Sequence, residues 1–171
     1  MIPLIKERVE KMIAKLAKSV NGYTAIFERH LKHSVKDVWS MLTDNEKLSK
    51  WFDELRVEEL QKGGFLTFNM GNGAFEKMEI TDLHPNSVLE FIWAEDLVRF
   101  ELTRETEGCQ LKLIEKITKL TDHTPKDLAG WHVCLDVIGA ILDGKDYGSR
   151  DVSWKINYEK YKEAIENMKE V

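Results

Sequence analysis

The chain has 171 residues, enough for one domain with a substantial core, and 43% hydrophobic with 32% charged residues is the balance of an ordinary globular protein. A net charge of −5 supplies no electrostatic footprint for nucleic acid. The two cysteines, Cys109 and Cys134, belong to no CxxC or Cys/His ladder, so free thiols in a reducing, cytoplasmic compartment are expected. The first residues lack the uninterrupted apolar region of a signal peptide, and no apolar run reaches transmembrane length.

Residues 2–20 read as a helix. Ile2, Ile5, Val9, Met12 and Leu16, continued by Val20, recur at three- and four-residue steps, beside a basic stripe of Arg8, Lys11, Lys15 and Lys18. Asn21-Gly22 ends this segment. Tyr23–Leu31 alternates as a strand. Ser34 then caps a short helix with Asp37 at the capping-box position and an apolar side of Val35, Val38, Trp39 and Leu42. Thr43 or Asp44 starts a second short helix that ends near Trp51-Phe52.

From Leu55 the period changes to two. Strands are expected around Leu55–Glu59, Leu66–Met70, Phe75–Leu83, Leu89–Trp93, Val98–Thr103 and Leu111–Ile117. Gly63-Gly64, Gly71-Asn72-Gly73, His84-Pro85-Asn86-Ser87 and Glu107-Gly108 supply the turns. The segment Thr124–Gly144 reads as one long amphipathic helix. Thr124 is placed as N-cap, Pro125 in the first turn, Asp127 in a capping box and Gly144 as the stop. Leu128, Trp131, Leu135, Ile138 and Leu142 lie on one face. Residues 151–168 form a last helix, with Trp154, Tyr158, Tyr161 and Ile165 at helical spacing.

Consecutive strands joined by short turns imply an antiparallel meander, which the long helix covers. The expected class is α+β. A curved sheet wrapped on one narrower helix leaves a cleft, and a cleft of that kind is mostly apolar.

Particular residues carry a family resemblance: Ser34-Val35-Lys36-Asp37-Val38-Trp39, Leu42-Thr43-Asp44, Leu48-Ser49-Lys50-Trp51-Phe52, Lys62-Gly63-Gly64-Phe65, Leu89-Glu90-Phe91-Ile92-Trp93, Gly108-Cys109-Gln110-Leu111 and Gly130-Trp131. Across residues 23–144 the chain resembles the SRPBCC superfamily, of START-like and birch-pollen-allergen-like proteins. Within it the chain is most similar to the branch of homologues of the activator of heat-shock-protein-90 ATPase. The resemblance implies a helix-grip fold: a curved antiparallel sheet of about six or seven strands on a long C-terminal helix, with two short helices after the first strand. One domain over residues 1–171 is expected, with core 23–144 and a helical tail in 151–171; the N-terminal helix in 1–22 is a departure, an addition to the usual family core. A pocket is implied, but not a reaction, because fold does not fix chemistry.

Trp51, Phe52, Phe68, Met70, Met78, Trp93, Phe100, Trp131, Leu135 and Ile138 are the candidate lining of an apolar cavity between sheet and helix; the alternative for each is plain core packing. Two carboxylates share strand parity with inward residues. Glu115 runs with Leu111, Leu113 and Ile117, and Glu76 with Met78 and Ile80. Inside an apolar cavity either would serve as general acid or base; at a strand end it would sit in water. His30, His33 and His132 read as surface histidines. No motif calls for a metal or cofactor.

The leading expectation is binding of a small hydrophobic molecule, a lipid or an aromatic, polyketide-like metabolite. One rival is an enzyme of cyclase, dehydratase or hydrolase type using an inward carboxylate. Another is a chaperone-associated interaction module, which would need an exposed apolar patch. The basic N-terminal stripe also fits a membrane surface or a homodimer contact, although packing on its own domain is the simpler reading.

Overall fold

The computed structural model describes residues 13–169. In chain order it contains β1 (Lys15–Ser19), β2 (Gly22–Leu31), α1 (Val35–Thr43), α2 (Asn45–Trp51), β3 (Leu55–Glu59), β4 (Phe65–Asn69), β5 (Phe75–His84), β6 (Val88–Trp93), β7 (Asp96–Glu105), β8 (Gly108–Ile117), α3 (Thr124–Leu142) and α4 (Arg150–Lys169). The class is α+β. The eight strands form one sheet in the order β1-β2-β8-β7-β6-β5-β4-β3.

The eighth strand corrects the sequence reading. Residues 15–19, expected as the end of an N-terminal helix, pair with β2 from Lys15↔Ile26 to Ser19↔Gly22. Leu16 is half-buried on that strand, and Val20 is 99% exposed at the hairpin tip. A four-residue step between two apolar residues suits a helix face, but it suits a strand and its turn equally well. Asn21-Gly22 therefore turns a hairpin instead of stopping a helix. The remainder of the expected helix and its basic stripe, residues 1–12, lies outside the described residues.

The chain divides into two compact units. One is Arg29–Lys116, and the other combines the described residues before it with those from Ile117 onward. In the first unit the helix boundaries follow local chemistry. Ser34 Oγ accepts the Asp37 N–H at 3.1 Å and caps α1. Asp44 Oδ1 accepts the Glu46 N–H at 3.0 Å and caps α2. Asn45 then mimics a strand: its side chain donates to Val57 O at 2.9 Å and accepts from Val57 N at 2.8 Å, fixing α2 to β3. Trp51 at the end of α2 donates its indole N–H to Met41 O at 2.7 Å, which locks α2 against α1.

The meander β3–β8 alternates as the period-two pattern predicts. Directly opposed residues share a sheet face. The pairs Leu66↔Met78, Ile80↔Phe91, Phe91↔Val98 and Phe100↔Leu113 build a continuous buried face. The opposite face carries a charge network. Arg99 reaches Asp82 at 3.0 Å, Glu90 at 3.1 Å and Glu101 at 2.6 Å. The hydrogen bond from Arg99 holds the Asp82 carboxyl below its ordinary pKa, and the three carboxylates in turn raise that of the guanidinium. Gly108 begins β8 where the chain passes the Leu31 carbonyl so closely that a Cβ would collide with it.

In the second unit α3 and α4 pack on each other. The expected N-cap of α3 is corrected. Thr124 is itself helical, its Oγ1 accepts the Thr121 N–H at 2.9 Å, and the preceding His123 makes no side-chain cap. The C-terminal stop is as expected: Gly144 adopts φ +67°, and Gly144 and Lys145 donate to the carbonyls of Ile141 and Ala140. Nor is α3 amphipathic. Besides Leu128, Trp131, Leu135 and Ile138, it buries Pro125, Ala129, His132, Val133 and Val137, while Leu142 is only half-buried. α4 explains the second buried side, because it turns Tyr161 and Ile165 inward.

Candidate functional site

Six aromatic rings of the Arg29–Lys116 unit form one connected cluster. Trp51 and Phe52 arrive at the end of α2, Phe68 on β4, Phe91 and Trp93 on β6, and Phe100 on β7. Trp51 contacts Phe52 and Phe100 at centroid distances of 6.0 and 6.5 Å. Phe91 contacts Trp93 at 6.3 Å and Phe100 at 6.4 Å. Phe52, Phe68 and Trp93 close a triangle with sides of 6.1, 5.9 and 5.8 Å. Edge-to-face pairs at such distances satisfy the ring quadrupoles.

The cluster has two layers. Trp51, Phe91 and Phe100 are at most 2% exposed, whereas Phe52, Phe68 and Trp93 remain partly open to solvent. Trp93 is held there by a two-residue hairpin loop in which Ala94 takes φ +54°. Positive φ at the first central residue is the II′ pattern, which glycine fills without strain.

Five of these six rings were expected as cavity lining; Phe91 was not. It stands at every second residue with Leu89 and Trp93, and that parity is the signal that could have identified it. Met78 is buried on the same face. Met70 is corrected: it is 52% exposed beyond the end of β4, at the hairpin with Phe75, which is 63% exposed. Trp131, Leu135 and Ile138 are buried on α3, in the other unit.

The two carboxylates separate clearly. Glu76 is corrected. It opposes Phe68 in register but lies exposed near the strand end, in water. Glu115 is 1% exposed and opposes Val98, which in turn opposes Phe91, so it shares the sheet face of the aromatic cluster.

His132, expected at the surface, is buried at 4% exposure. Its Nδ1 lies 2.7 Å from Tyr161 Oη and its Nε2 lies 3.3 Å from Asp136 Oδ2. Tyr161 Oη also accepts the Ala14 N–H at 2.9 Å. The reading of His132 as a surface residue fails because that side of α3 is the one α4 covers. Both ring nitrogens are engaged, so His132 works as a fastener between helices. It floors a cleft of about 190 Å³ that Tyr147, Asn157 and Lys160 also line. Burial raises the pKa of the Cys109 thiol, which leaves it unreactive. Among the described residues no group of three or more His, Cys, Asp or Glu is arranged to hold a metal ion. No described helix is long and apolar enough to cross a membrane.

The family described as activator of Hsp90 ATPase homolog 1-like protein matches residues 32–143, which contain the entire aromatic cluster. The chain belongs to this family. As a member of the Hsp90 ATPase activator-homologue family it falls within the SRPBCC superfamily, as its motifs implied. No curated protein matches the chain. Several solved structures do. A conserved protein of unknown function from Enterococcus faecalis, EF2215, is 23% identical with a TM-score of 0.81, the alignment covering 96% of each chain. CalU16 from Micromonospora echinospora is 21% identical with a TM-score of 0.68, over 86% of this chain and 95% of that one. DynU16, encoded in the dynemicin biosynthetic locus, is 21% identical with a TM-score of 0.61, over 71% of this chain and 48% of that one. At these identities the likeness establishes the shared fold.

Proposed function

We propose that this member of the family binds a small hydrophobic molecule at the six-ring cluster. The observation that carries the reading is the layering of the cluster: three buried rings form a rigid floor, and three rings on top of them stay partly open to solvent. Partly exposed rings on a buried aromatic floor offer a bound molecule an apolar surface to cover. Burying apolar area on them supplies affinity at about 25 cal/mol per Å². The occurrence of DynU16 in a biosynthetic locus is in keeping with an aromatic or polyketide-like ligand.

The test is titration of the protein with the neutral dye Nile red. Saturable fluorescence enhancement is expected, with at least about fivefold weaker binding in Phe68→Ala and Trp93→Ala variants that keep the parent circular dichroism, since large apolar side chains at such sites contribute about 1–2 kcal/mol each. Unchanged affinity in both folded variants would remove the cluster as the site.

Glu115 gives a second reading its footing. A carboxyl that is 1% exposed on the sheet face that carries the ring cluster is the type of group a cyclase or dehydratase would use as acid or base. Glu115→Gln would then abolish turnover of a bound substrate while leaving Nile red affinity unchanged. Full turnover in that variant would exclude Glu115 as the acid or base.

A further inference from the structure

We propose that the tip of the β4–β5 hairpin inserts into the surface of a lipid bilayer, an interaction separate from ligand binding at the ring cluster.

The hairpin stands clear of its neighbours in the sheet. β5 begins at Phe75, but its pairing with β6 begins only at Ile80. On the other side, the pairing of β4 with β3 ends at Leu55↔Phe68. Residues 70–74 therefore extend past both neighbouring strands, and all of them are exposed.

The two large side chains of this tip are apolar and open to solvent: Met70 is 52% and Phe75 63% exposed. They lie on opposite sides of the hairpin. Phe75 opposes Asn69 and shares its face, whereas Met70, next in the chain after Asn69, alternates to the side of Phe68. A protein partner docked on one face of the hairpin would leave the other side chain in water. The interfacial layer of a bilayer surrounds an inserted tip and covers both at once.

The polar groups of the tip suit the same medium. From Asn69 to Phe75 the chain carries no charged residue. The Met70 N–H donates to Ala74 O at 3.0 Å, the Gly71 N–H to Asn69 Oδ1 at 2.9 Å and the Ala74 N–H to Asn72 Oδ1 at 3.1 Å. These amides are satisfied within the tip itself, which lowers the cost of taking its backbone out of water. Glu76 and Lys77 follow at once and are exposed, so their charges hold insertion to the interfacial layer. Being of opposite sign, they give no pull towards anionic headgroups, and a zwitterionic lipid surface is the partner that fits.

The test is co-sedimentation of the full chain with phosphatidylcholine vesicles, for which saturable binding is expected. Met70→Ser combined with Phe75→Ser, in a variant that keeps the parent circular dichroism, should weaken binding at least about tenfold, because two large apolar side chains no longer enter the membrane. Ile92→Ser, which changes an exposed apolar residue of β6 outside the tip, should leave binding unchanged. With spin-labelled lipid chains, the Gly71 and Gly73 amide resonances of the parent should broaden ahead of the rest. A parent that stays in the supernatant, or a double variant that binds as the parent does, would overturn the proposal. Binding that requires anionic lipid and is lost in salt would also overturn it, since charge and not the tip would then carry the contact. A parent dimer that the double variant dissolves, without affinity for vesicles, would overturn the bilayer in favour of a second copy of the chain.

Discussion

Replacing Tyr161 by Phe removes a single oxygen and should cost about 2–3 kcal/mol, because that buried oxygen serves two partners. Tyr161 is fully buried, and its Oη accepts the Ala14 N–H at 2.9 Å and pairs with His132 Nδ1 at 2.7 Å. The Phe ring still fills the site and keeps its tilted contact with Phe27 at 6.2 Å, so almost no cavity is created. The loss is therefore polar. His132 stays buried with one nitrogen stripped of its partner, which costs about 1–3 kcal/mol. Ala14 is half-buried near the start of the described chain, and its N–H recovers part of the loss by turning to water. Urea unfolding followed by both circular dichroism and Trp fluorescence measures the effect, with coincident transitions and an unchanged m-value as the condition for reading it as free energy. His132→Phe, which removes the other partner, should not add its full cost to Tyr161→Phe; the pair should be strongly non-additive. A Tyr161→Phe loss below about 0.5 kcal/mol, or full additivity, would refute the view of His132 and Tyr161 as the fastener of α3, α4 and the segment at Ala14.

Four further outcomes follow from the same structure. Phe100→Ala, which deletes a ring from the buried layer, should cost about 3–5 kcal/mol in thermal or urea unfolding, whereas Phe68→Ala in the half-exposed layer should cost clearly less. Ala94→Gly should stabilise the protein by about 0.5–1 kcal/mol by relieving the positive φ in the β6–β7 loop; a destabilised variant would show that the conformation carries no strain. Gly108→Ala should destabilise by about 1–3 kcal/mol or more, since its Cβ collides with the backbone of Leu31 and Lys32, and the readout is the urea midpoint. The Asp82–Arg99 pair sets an acid limb. The Asp82 pKa in the folded protein lies below its ordinary 3.8, so its contribution is fully present above that value and is lost as pH falls through the folded-state pKa. Arg99→Leu should therefore lower stability at neutral pH, and the difference from the parent should shrink below pH 3.8.

What the sequence made legible was what local chemistry decides. Ser34, Asp44 and Gly144 act as terminators because a side-chain oxygen or a missing Cβ solves a backbone problem within a few residues. The strands β2 to β8 were legible because period-two alternation is carried by the residues themselves, and Phe68, Trp93 and Phe100 followed from that parity, while Trp51 and Phe52 followed from the end of the short helix α2. Two of the misreadings share one cause, a partner distant in sequence. Residues 15–19 are a strand because β2 pairs with them, and their own pattern does not separate strand from helix. The second buried side of α3, and with it His132, depends on α4 lying alongside. Glu76 and Glu115 had the same parity argument. Their places in the sheet, which alternation does not encode, separate them: Glu76 lies beside the β4–β5 hairpin and in water, and Glu115 on an inner strand and in the core.

The central claim, that the ring cluster is a ligand site, is tested most directly at the indole N–H resonances of the five tryptophans. Titration of the ¹⁵N-labelled protein with a neutral hydrophobic probe should shift Trp93 saturably and perturb Trp51 behind it, with Trp154, stacked on Tyr158 in α4, left in place. Saturating probe that moves no indole resonance, or moves Trp154 alone, would contradict the account.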